Sequence, residues 1–393
     1  MTGNSGQRPR IHVVEILEAA DGGTWTHLMQ LLQGLDPARF KLTAILSARR
    51  NPAIRDEYAA LRQRGVNIIE VPMARVISPR HDSMALYYLT RLLCELRPQV
   101  VHTHASKAGY VGRFAARAAR GIPVIHTPHT FAFQGYRGSR RWFYRMLERR
   151  VAPFIARLVL LSEGQRLLVE RELPALAGRA VVIENAVDGE RFRPRGERLE
   201  ARAALGLPQD APVVGTITRF APQKGCDVLL EALARVMRQV GACRAVIVGD
   251  GPLRGEMMRW AAREGMMDKI LWLSHTDRPE EVYEALDLFV LSSRYEGMPC
   301  TLLEAMASGL PALATRISGC EEVVQEGATG RLVPPDDPTA LAEGMISLLS
   351  DAPSARRMGE AGRCLALERF ALSRFIERTS ALYEAEAERP RAE

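Results

Sequence analysis

Short apolar segments alternate with longer amphipathic segments along almost the whole chain. Segments such as Ser83–Leu96 and Ala108–Arg120 repeat their apolar residues with the spacing of helices, and the short apolar runs between such segments predict buried strands. Strands that alternate with helices indicate parallel sheets covered by helices on both faces. The predicted strands are Ile11–Leu17, Leu42–Leu46, Val66–Val71, Val100–His102, Val124–His126, Leu158–Leu161 and Val181–Ile183, then Val213–Ile217, Ala245–Val248, Ile270–Leu273, Leu288–Leu291 and Ala312–Ala314.

The alternation pauses once, in a segment rich in proline and arginine, and then restarts. This segment, Asp188–Pro212, separates the two sets of predicted strands. A chain of 393 residues is longer than a domain with a single hydrophobic core usually is. We therefore predict two doubly wound α/β domains, residues 1–188 and 189–370. A last helical segment, Ala371–Glu388, lies within the remaining residues, 371–393.

Composition narrows the class of protein. No apolar run reaches the roughly 18 residues that a membrane-spanning helix needs, and Ile11–Leu17, interrupted by Glu15, predicts a first strand rather than a signal peptide. The six cysteines form no C-x-x-C pair, so neither a zinc motif nor a redox motif is indicated, and we expect a cytoplasmic protein. The 8 histidines also lack the H-x-x-x-H spacing of a zinc-binding helix.

Charge is distributed unevenly between the two halves of the chain. Residues 1–188 contain 27 Lys and Arg against 15 Asp and Glu, a net charge of +12, and the remainder contributes −5 to the total of +7. A basic first half suits an anionic partner. We find no helix-turn-helix, zinc-finger or ribonucleoprotein signature, so nucleic acid is not expected. An anionic membrane surface and a phosphorylated acceptor both stay open as partners.

Two glutamates follow a predicted strand, Leu288–Leu291, within the segment Ser292–Pro311. Glu296 falls in the loop after the strand, and Glu304 falls in a short helix that Thr301 starts or caps. Ligands of parallel sheets bind beyond the carboxyl ends of the strands, where the first N–H groups of a helix hold an anion such as a diphosphate. Ionised carboxylates accept hydrogen bonds from the hydroxyls of a ribose or hexose. The segment therefore predicts a nucleotide-sugar site, whereas two isolated glutamates would indicate only solvated positions.

A second charged loop, Thr216–Asp227, follows the first strand of the second predicted domain. It carries Arg219 and Lys224 ahead of a helix that we expect to be capped near Asp227. Arginine offers a fork of donors and lysine a compact charge, and together they suit a diphosphate. Lys224 is one of only four lysines in an arginine-rich chain, which favours a specific role over a solvated loop.

These segments resemble the family 4 retaining glycosyltransferases, whose two-domain architecture is called GT-B. The resemblance extends to the glycine turn Val248–Pro252, to the closing segment Thr329–Asp336, and to Arg369-Phe370 and Leu382-Tyr383 in the terminal helices. It implies an α/β fold of two Rossmann-like doubly wound domains facing a cleft. It also implies that the C-terminal helix returns to the first domain.

Two departures from the family pattern are visible. Gly319-Cys320 stands where a pair of glycines is more usual, and Ala186 stands where glycine is usual at the approach to the hinge. Neither touches the charged residues, so they bear only on local backbone detail.

The resemblance implies roles for residues of the second domain. Glu296 would contact the donor sugar and Glu304 the ribose hydroxyls, while Arg219 and Lys224 would neutralise the departing diphosphate. The other donor-binding residues are Cys300 and Thr301 at the start of the short helix, Gly249 in the glycine turn, and Leu273 and Ser274, whose backbone groups would face the base.

The first domain is expected to bind the acceptor. Gly22 and Gly23 follow the first strand and allow close backbone approach to a ligand. The pair resembles the family's first glycine loop, which lies against the donor phosphates; an ordinary turn is the alternative. His129 aligns with a family histidine of the donor-sugar pocket, although Thr130 stands where glycine is common, and His104 is assigned to the acceptor side. Core or surface histidines are the alternative.

Positive charge and aromatic residues are interleaved between Arg137 and Arg150. A helix of this composition binds anionic membrane surfaces, and the solvated face of an arginine-rich protein is the alternative. The residues that we assign to acceptor or membrane contact are His104, Arg140, Arg141, Trp142 and Arg145.

The sequence as a whole predicts a retaining hexosyltransferase. The donor is expected to be a UDP-sugar and the acceptor a lipid-linked saccharide of cell-envelope polysaccharide or glycan assembly, with the enzyme peripheral at the inner face of the membrane. No acceptor-side base is evident, which fits a front-face mechanism in which the departing phosphate takes the proton. Three alternatives stay open: a nucleotide-sugar epimerase of the same architecture, a transferase for a small soluble acceptor, and a non-catalytic nucleotide-sugar-binding protein.

No cofactor is expected. An Asp-x-Asp cluster for a metal-bound diphosphate is absent, and the adjacent Asp336 and Asp337 instead suit the start of a helix. The sequence therefore predicts that transfer needs no metal ion.

Overall fold

The computed structural model describes residues 9–18, 20–49, 51–74, 77–119 and 121–389. The chain divides into two compact units: a first unit that runs to Glu184 and resumes at Ser373, and a second unit, Asn185–Leu372. The first boundary thus falls at residue 184 where we predicted 188, and the second at residue 372 where we predicted 370.

Each unit contains one sheet in which all paired strands are parallel. The first sheet has the order β3-β2-β1-β4-β5-β6-β7, and the second has the order β10-β9-β8-β11-β12-β13. The strands are β1 (Ile11–Leu17), β2 (Phe40–Leu46), β3 (Asn67–Glu70), β4 (Val100–His104), β5 (Val124–Thr127), β6 (Arg157–Leu160), β7 (Ala180–Val182), β8 (Val213–Ile217), β9 (Arg244–Val248), β10 (Ile270–Leu273), β11 (Leu288–Leu291), β12 (Ala312–Thr315) and β13 (Gly330–Val333).

Helices connect almost all of these strands, as a doubly wound α/β fold requires. They pack on the sheets through apolar faces, for example Leu89 and Ala115 against Val14 and Val101 in the first unit. The helices are α1 (Gly22–Gly34), α2 (Tyr58–Gln63), α3 (Pro79–Leu96), α4 (Ala105–Ala118), α5 (Gly138–Val151), α6 (Glu163–Glu172), α7 (Arg198–Ala204), α8 (Cys226–Gln239), α9 (Arg254–Arg263), α10 (Pro279–Ala285), α11 (Cys300–Ala307), α12 (Ser318–Glu321), α13 (Pro338–Ser350), α14 (Ala352–Arg369) and α15 (Leu372–Ala387).

The predicted fold class is confirmed, and each predicted strand is present with its ends moved by no more than two residues. Helix α3 begins earlier than predicted because Pro79 takes its first position, where proline costs no hydrogen bond, while Asp82 accepts from the N–H of Ser78. Arg120, the last residue of another predicted helix, lies outside the described residues. Strand β13 was missed because it is short and contains a glycine and an arginine.

Glycine is required in β13 by close packing of the backbone. A Cβ atom at Gly330 would lie 2.4 Å from the carbonyl oxygen of Ala312 on the neighbouring strand. The feature that weakened the sequence signal for this strand is therefore the one that lets it join the sheet.

Strand order reverses at one point in each sheet. In the first sheet, the chain passes from β1 to β2 on one side and from β4 to β5 on the other. In the second sheet, it likewise passes from β8 to β9 on one side and from β11 to β12 on the other. Loops that follow the two strands at such a point diverge and leave room for a ligand. In the second unit, the loops after β8 and β11 contain the charged residues singled out above.

The last helix, α15, belongs to the first unit and is bound to it through buried polar contacts. The Tyr383 hydroxyl donates a hydrogen bond to the Glu15 carboxylate at 2.6 Å and lies 2.6 Å from Nδ1 of His102. All three side chains are almost completely buried. Tyr383 therefore provides hydrogen-bond partners for two groups that water does not reach.

We predict that Tyr383→Phe lowers the free energy of unfolding of the first unit by about 1–3 kcal/mol, because it leaves buried polar groups without a partner. Urea unfolding followed by circular dichroism measures this change. The control is Tyr88→Phe, which alters an exposed hydroxyl on α3 and should leave the midpoint unchanged. Equal midpoints for both variants would show that the buried hydroxyl contributes nothing to stability.

Candidate active site

The loops that follow β8 and β11 leave the second sheet side by side and are joined by hydrogen bonds. The N–H of Arg294 donates to the Gln223 carbonyl at 2.8 Å, and the Ser292 hydroxyl donates to the Lys224 carbonyl at 2.9 Å. The Gln223 side chain also donates to the Tyr295 carbonyl at 2.9 Å. The two predicted charged segments therefore form one surface joined by hydrogen bonds.

Lys224 and Glu296 form an ion pair at the centre of this surface. Lys224 Nζ lies 2.5 Å from Glu296 Oε1, and the Ser293 hydroxyl donates to the same oxygen at 2.7 Å. The Glu296 side chain is 7% exposed and the Lys224 side chain 24% exposed. The structure thus brings together two residues that the sequence assigned separately, one to the sugar and one to the diphosphate.

Arg219 lies on the same loop as Lys224 but differs in its contacts. Its guanidinium group is partly exposed and makes no hydrogen bond or ion pair with the residues that the structure describes. Because Glu296 already offsets the charge of Lys224, Arg219 supplies the uncompensated positive charge of this surface. That Arg219 and Lys224 together neutralise a diphosphate stays a prediction.

Arg294 was not singled out from the sequence, although it cross-links the site. Its guanidinium group binds Asp227 at 2.7 Å and Asp336 at 2.6 Å. The cap of α8, which we had predicted near Asp227, lies two residues before it. The N-cap residue is Gly225, whose φ is +59° and whose Cβ, if present, would lie 2.2 Å from the Ser292 carbonyl oxygen.

Glu304 is buried in α11, where the Tyr283 hydroxyl donates a hydrogen bond to Oε2 at 2.8 Å. Burial raises the pKa of Glu304, and the hydrogen bond from Tyr283 opposes that rise. The N-cap residue of α11 is Pro299, so Thr301 lies in the first turn rather than at the cap. The Tyr283 hydroxyl also lies 3.2 Å from the Thr301 carbonyl oxygen. Tyr283 therefore contacts both the first turn of α11 and the Glu304 carboxyl group.

Cys300, the first residue of α11, is an inert thiol. Burial raises the pKa of Cys300 to about 12, so the nucleophilic thiolate is not formed at neutral pH. Its sulfur lies 3.4 Å from Nδ2 of Asn185, which also donates to the Met298 carbonyl at 2.7 Å. Cys300 therefore contributes shape rather than reactivity to the start of the helix.

The glycine turn after β9 requires glycine for steric reasons. Gly249 has a φ of +144°, and a Cβ atom there would lie 1.8 Å from the Thr218 carbonyl oxygen. The N–H of Gly249 donates to the Leu273 carbonyl at 2.8 Å, while Ser274 is exposed. The carbonyl group of Leu273, which we expected to face a base, therefore already accepts a hydrogen bond within the unit.

One departure from the family pattern has a structural explanation. A Cβ atom at Gly319 would lie 2.5 Å from the Gly297 carbonyl oxygen, next to Glu296, so this position requires glycine. Cys320 is completely buried and its side chain is accommodated. Gly319, at the first position of the usual glycine pair, is thus required by the close approach of the backbone. The second position, Cys320, accepts a side chain.

The first unit contains the remaining predicted residues. Gly22 begins α1 with a φ of +54°, which favours glycine, and Gly23 follows it. His129 has a φ of +58° and is 8% exposed, whereas His104 is fully buried. The assignment of His104 to a membrane or acceptor surface is therefore wrong, because its ring faces the interior and its Nε2 lies 2.8 Å from Glu15 Oε2.

The basic helix α5 is only partly available to a partner. Arg141 and Arg145 bind the two carboxylate oxygens of Glu172 at 3.2 and 2.9 Å, and the hydrogen bond from Arg145 lowers the pKa of Glu172. Arg140 and Trp142 are exposed, Trp142 to 59%. Within the described ranges, no helix has both the length and the apolar character that crossing a membrane requires.

Two family models match this chain over separate segments. The model described as glycosyl transferases group 1 matches residues 197–364, and the model described as a glycosyl transferase 4-like domain matches residues 22–186. The chain is also 32% identical over 285 residues to UDP-Gal:alpha-D-GlcNAc-diphosphoundecaprenol alpha-1,3-galactosyltransferase of Escherichia coli, covering 71% of this chain and 73% of that protein. The chain belongs to the family 4 glycosyltransferases.

Further similarities agree with this assignment. This glycosyltransferase is 32% identical over 279 residues to D-inositol 3-phosphate glycosyltransferase of Nocardia farcinica (strain IFM 10152), covering 66% of this chain and 60% of that protein. A crystal structure of HepE from Anabaena in complex with UDP and glucose matches 96% of this chain and 100% of its own, with a TM-score of 0.82 and 19% identity. The likeness to HepE confirms the GT-B fold.

The buried carboxyl group of Glu304 generates a prediction about how stability depends on pH. Because burial raises the pKa of Glu304 above its ordinary value of 4.5, the folded protein binds the proton more tightly than the unfolded chain. Wild-type stability from this group is therefore present below about pH 4.5 and is lost as pH rises through the folded pKa. We predict that Glu304→Gln raises the melting temperature at pH 8 and that this gain shrinks as pH falls toward 4.5.

Thermal unfolding across this pH range measures the gain. The matched control is Glu360→Gln, which changes an exposed carboxyl group in the same unit and should give no pH-dependent difference. A Glu304→Gln variant that melts below the wild type at pH 8, with a deficit that disappears in acid, would reverse the sign and contradict the prediction.

Proposed function

We propose that this glycosyltransferase transfers a hexosyl group from a UDP-sugar to a lipid-linked saccharide and retains the anomeric configuration. The observation that carries the proposal is the ion pair between the partly exposed Lys224 and the buried Glu296, beside the uncompensated Arg219, beyond the ends of β8 and β11. The relatives support its finer parts. HepE has been crystallised with UDP and glucose, and the name of the Escherichia coli relative specifies UDP-Gal and a diphosphoundecaprenol acceptor.

In this proposal, the donor diphosphate lies against Arg219 and the first turn of α11. Arg219 can bind two phosphate oxygens with its fork of donors, and the N–H groups of the first turn add the positive end of the helix dipole. Lys224 shares its charge between Glu296 and the diphosphate. As negative charge develops on the leaving group, Lys224 Nζ shifts its hydrogen bonding toward it, which stabilises the transition state more than the bound substrate.

Glu296 orients the sugar in the same proposal. Its Oε1 is held by Lys224 and Ser293, and its Oε2 lies 3.5 Å from the Gln223 amide, at the limit of a hydrogen bond. Oε2 can therefore accept hydrogen bonds from sugar hydroxyls. Glu304, held by Tyr283, takes the corresponding role for the ribose.

The chemical step uses no protein nucleophile. The bond between the anomeric carbon and the diphosphate oxygen breaks while the acceptor oxygen bonds to the same face of that carbon. The proton of the acceptor hydroxyl passes to the departing phosphate oxygen, so charge and atoms balance. Because cationic side chains and backbone N–H groups meet the charge of the leaving group, we propose that transfer needs no divalent cation at the diphosphate.

A panel of UDP-sugars, assayed with and without lipid-linked saccharide acceptors, tests the proposed function. Transfer should release UDP in proportion to product, and the coupling constant of the product's anomeric proton should match that of the donor. Isomerised UDP-sugar without UDP release would identify an epimerase. Binding with no turnover would identify a non-catalytic protein, and full turnover with a soluble acceptor would overturn the lipid-linked assignment.

We predict that Lys224→Met and Glu296→Gln each lower kcat by about 10²–10³, the effect of losing one positioned electrostatic contact to a transition state. Each single variant should also melt at a lower temperature, since it leaves one member of a partly buried pair without its partner. The double variant should regain the melting temperature but not the turnover. The assay contains excess EDTA, so activity that only Mg²⁺ or Mn²⁺ restores would contradict the cation-independent mechanism.

Lys269→Met is the matched control, because it removes a lysine from the same unit outside these loops. It should keep wild-type turnover. Near-normal turnover in the double variant would show that the pair serves only the stability of the unit.

We also propose that the exposed residues of α5 hold the enzyme at an anionic membrane surface, where a lipid-linked acceptor lies. Arg140 contributes charge, worth about 1 kcal/mol near such a surface, and Trp142 contributes apolar area. We predict that the wild type sediments with vesicles of anionic lipid and is released by salt. Arg140→Gln combined with Trp142→Ser should bind several-fold more weakly.

The control combines Arg357→Gln with Leu199→Ser, which removes one exposed charge and one exposed apolar side chain from the second unit. It should bind vesicles like the wild type. Equal loss in both double variants would show that attraction depends on net charge alone, and wild-type indifference to anionic vesicles would remove the membrane proposal.

A further inference from the structure

The first unit buries an unusual number of ionisable side chains around the end of β1 and β4. Each of them is at least nine-tenths buried. Groups of this kind are rarely buried unless they are paired or bind an ion. The set consists of Glu15, His27, His102, His104, His129 and Tyr383.

Three members of this set, Glu15, His102 and Tyr383, are joined to one another by hydrogen bonds. The Tyr383 hydroxyl has one proton, which it donates to Glu15, so it accepts from Nδ1 of His102. Nε2 of His102 then accepts from the Thr127 hydroxyl at 2.8 Å. Glu15, His102 and His104 also lie close enough together to hold an ion, but the Tyr383 hydroxyl already bridges the first two.

The other three histidines converge differently. His27 comes from α1, His104 from the end of β4, and His129 from the loop after β5, and one nitrogen of each lies within 4.8 Å of the others. His104 Nδ1 and His129 Nε2 are 3.4 Å apart. This separation is long for an N–H hydrogen bond, but two nitrogens that bind one tetrahedral zinc ion at 2.0–2.1 Å are about 3.3 Å apart.

The surroundings of His104 prepare it to be a ligand. Its Nε2 lies 2.8 Å from Glu15 Oε2, which leaves Nδ1 as the nitrogen that faces His129. A carboxylate that holds the far nitrogen of a metal-binding histidine is a regular feature of zinc sites. Glu15 is in turn held by Tyr383 at 2.6 Å.

We propose that His27, His104 and His129 bind one divalent transition-metal ion, with Zn²⁺ as the reference ion and Glu15 as the carboxylate behind His104. Three imidazoles suit zinc and its neighbours in the periodic table and leave a fourth position open. They do not suit Mg²⁺, which prefers oxygen ligands. The proposal does not depend on the proposed function.

The first experiment uses the full chain without an affinity tag and with Cys94→Ser and Cys364→Ser, which remove the two exposed thiols; this protein serves as the wild type of the metal experiments. After purification in metal-free buffer, the protein is titrated with Co²⁺ and with Zn²⁺. We expect one equivalent of each to bind, the visible absorption of tetrahedral Co²⁺ without a thiolate charge-transfer band, and a higher melting temperature with Zn²⁺.

The second experiment compares variants in the same background. His27→Gln should abolish the tetrahedral Co²⁺ spectrum, and Glu15→Gln, which keeps all three ligands, should weaken Zn²⁺ binding by about 10- to 100-fold. His81→Gln, an exposed histidine of the same unit, should bind like the wild type. If His27→Gln fails to fold, Glu15→Gln still tests the proposal, because this variant keeps all three proposed ligands.

Several outcomes would overturn the proposal. One is a wild type that binds no Co²⁺ or Zn²⁺, which would leave a hydrogen-bonded chain of imidazoles without an ion. Others are an octahedral Co²⁺ spectrum, binding that His27→Gln does not change, or equal affinities in Glu15→Gln and His81→Gln. Loss of glycosyl transfer with intact Zn²⁺ binding would bear on the proposed function alone.

Discussion

The second unit depends on the close approach of backbone segments above its sheet. Three glycines permit this approach, because a Cβ atom at Gly249, Gly225 or Gly319 would lie 1.8–2.5 Å from a carbonyl oxygen of a neighbouring loop. The loops after β8 and β11 are thereby fixed against each other, which brings Lys224 to Glu296. A buried ion pair is favourable only when its geometry is held by its surroundings, so the electrostatics of the site rest on a steric requirement for glycine.

This arrangement divides the positive charge into parts with different properties. Arg294 is held by Asp227 and Asp336, Lys224 is held by Glu296, and Arg219 has no such partner among the described side chains. A site whose cations were all uncompensated would repel itself in the absence of a ligand. Pairing most of them keeps the loops in place and leaves one arginine to attract an anion.

Much of the fold and part of the site could be predicted from the sequence. The period of the apolar residues located the strands, since each is a local pattern, and β13 was missed because two of its four residues, Gly330 and Arg331, are not apolar. The sequence also located Lys224 and Glu296, since each follows a strand. It could not show that they bind each other, because they are 72 residues apart, nor that Arg294 would bind Asp227.

The histidines show the same limit more strongly. Local spacing gave no indication of a metal site, since His27, His104 and His129 lie on three separate elements and meet only because the strand order places β1 beside β4 and β4 beside β5.

Both sheets bring ionisable residues together where their strand order reverses, but with opposite physical results. In the second unit the residues sit on loops and keep a charge available to a ligand. In the first unit they lie at strand ends and in α1 under α15, where Phe375 packs on the His27 ring at 4.9 Å. There, burial lowers the pKa of His129, and one nitrogen each of His27, His104 and His129 lies within 4.8 Å of the others.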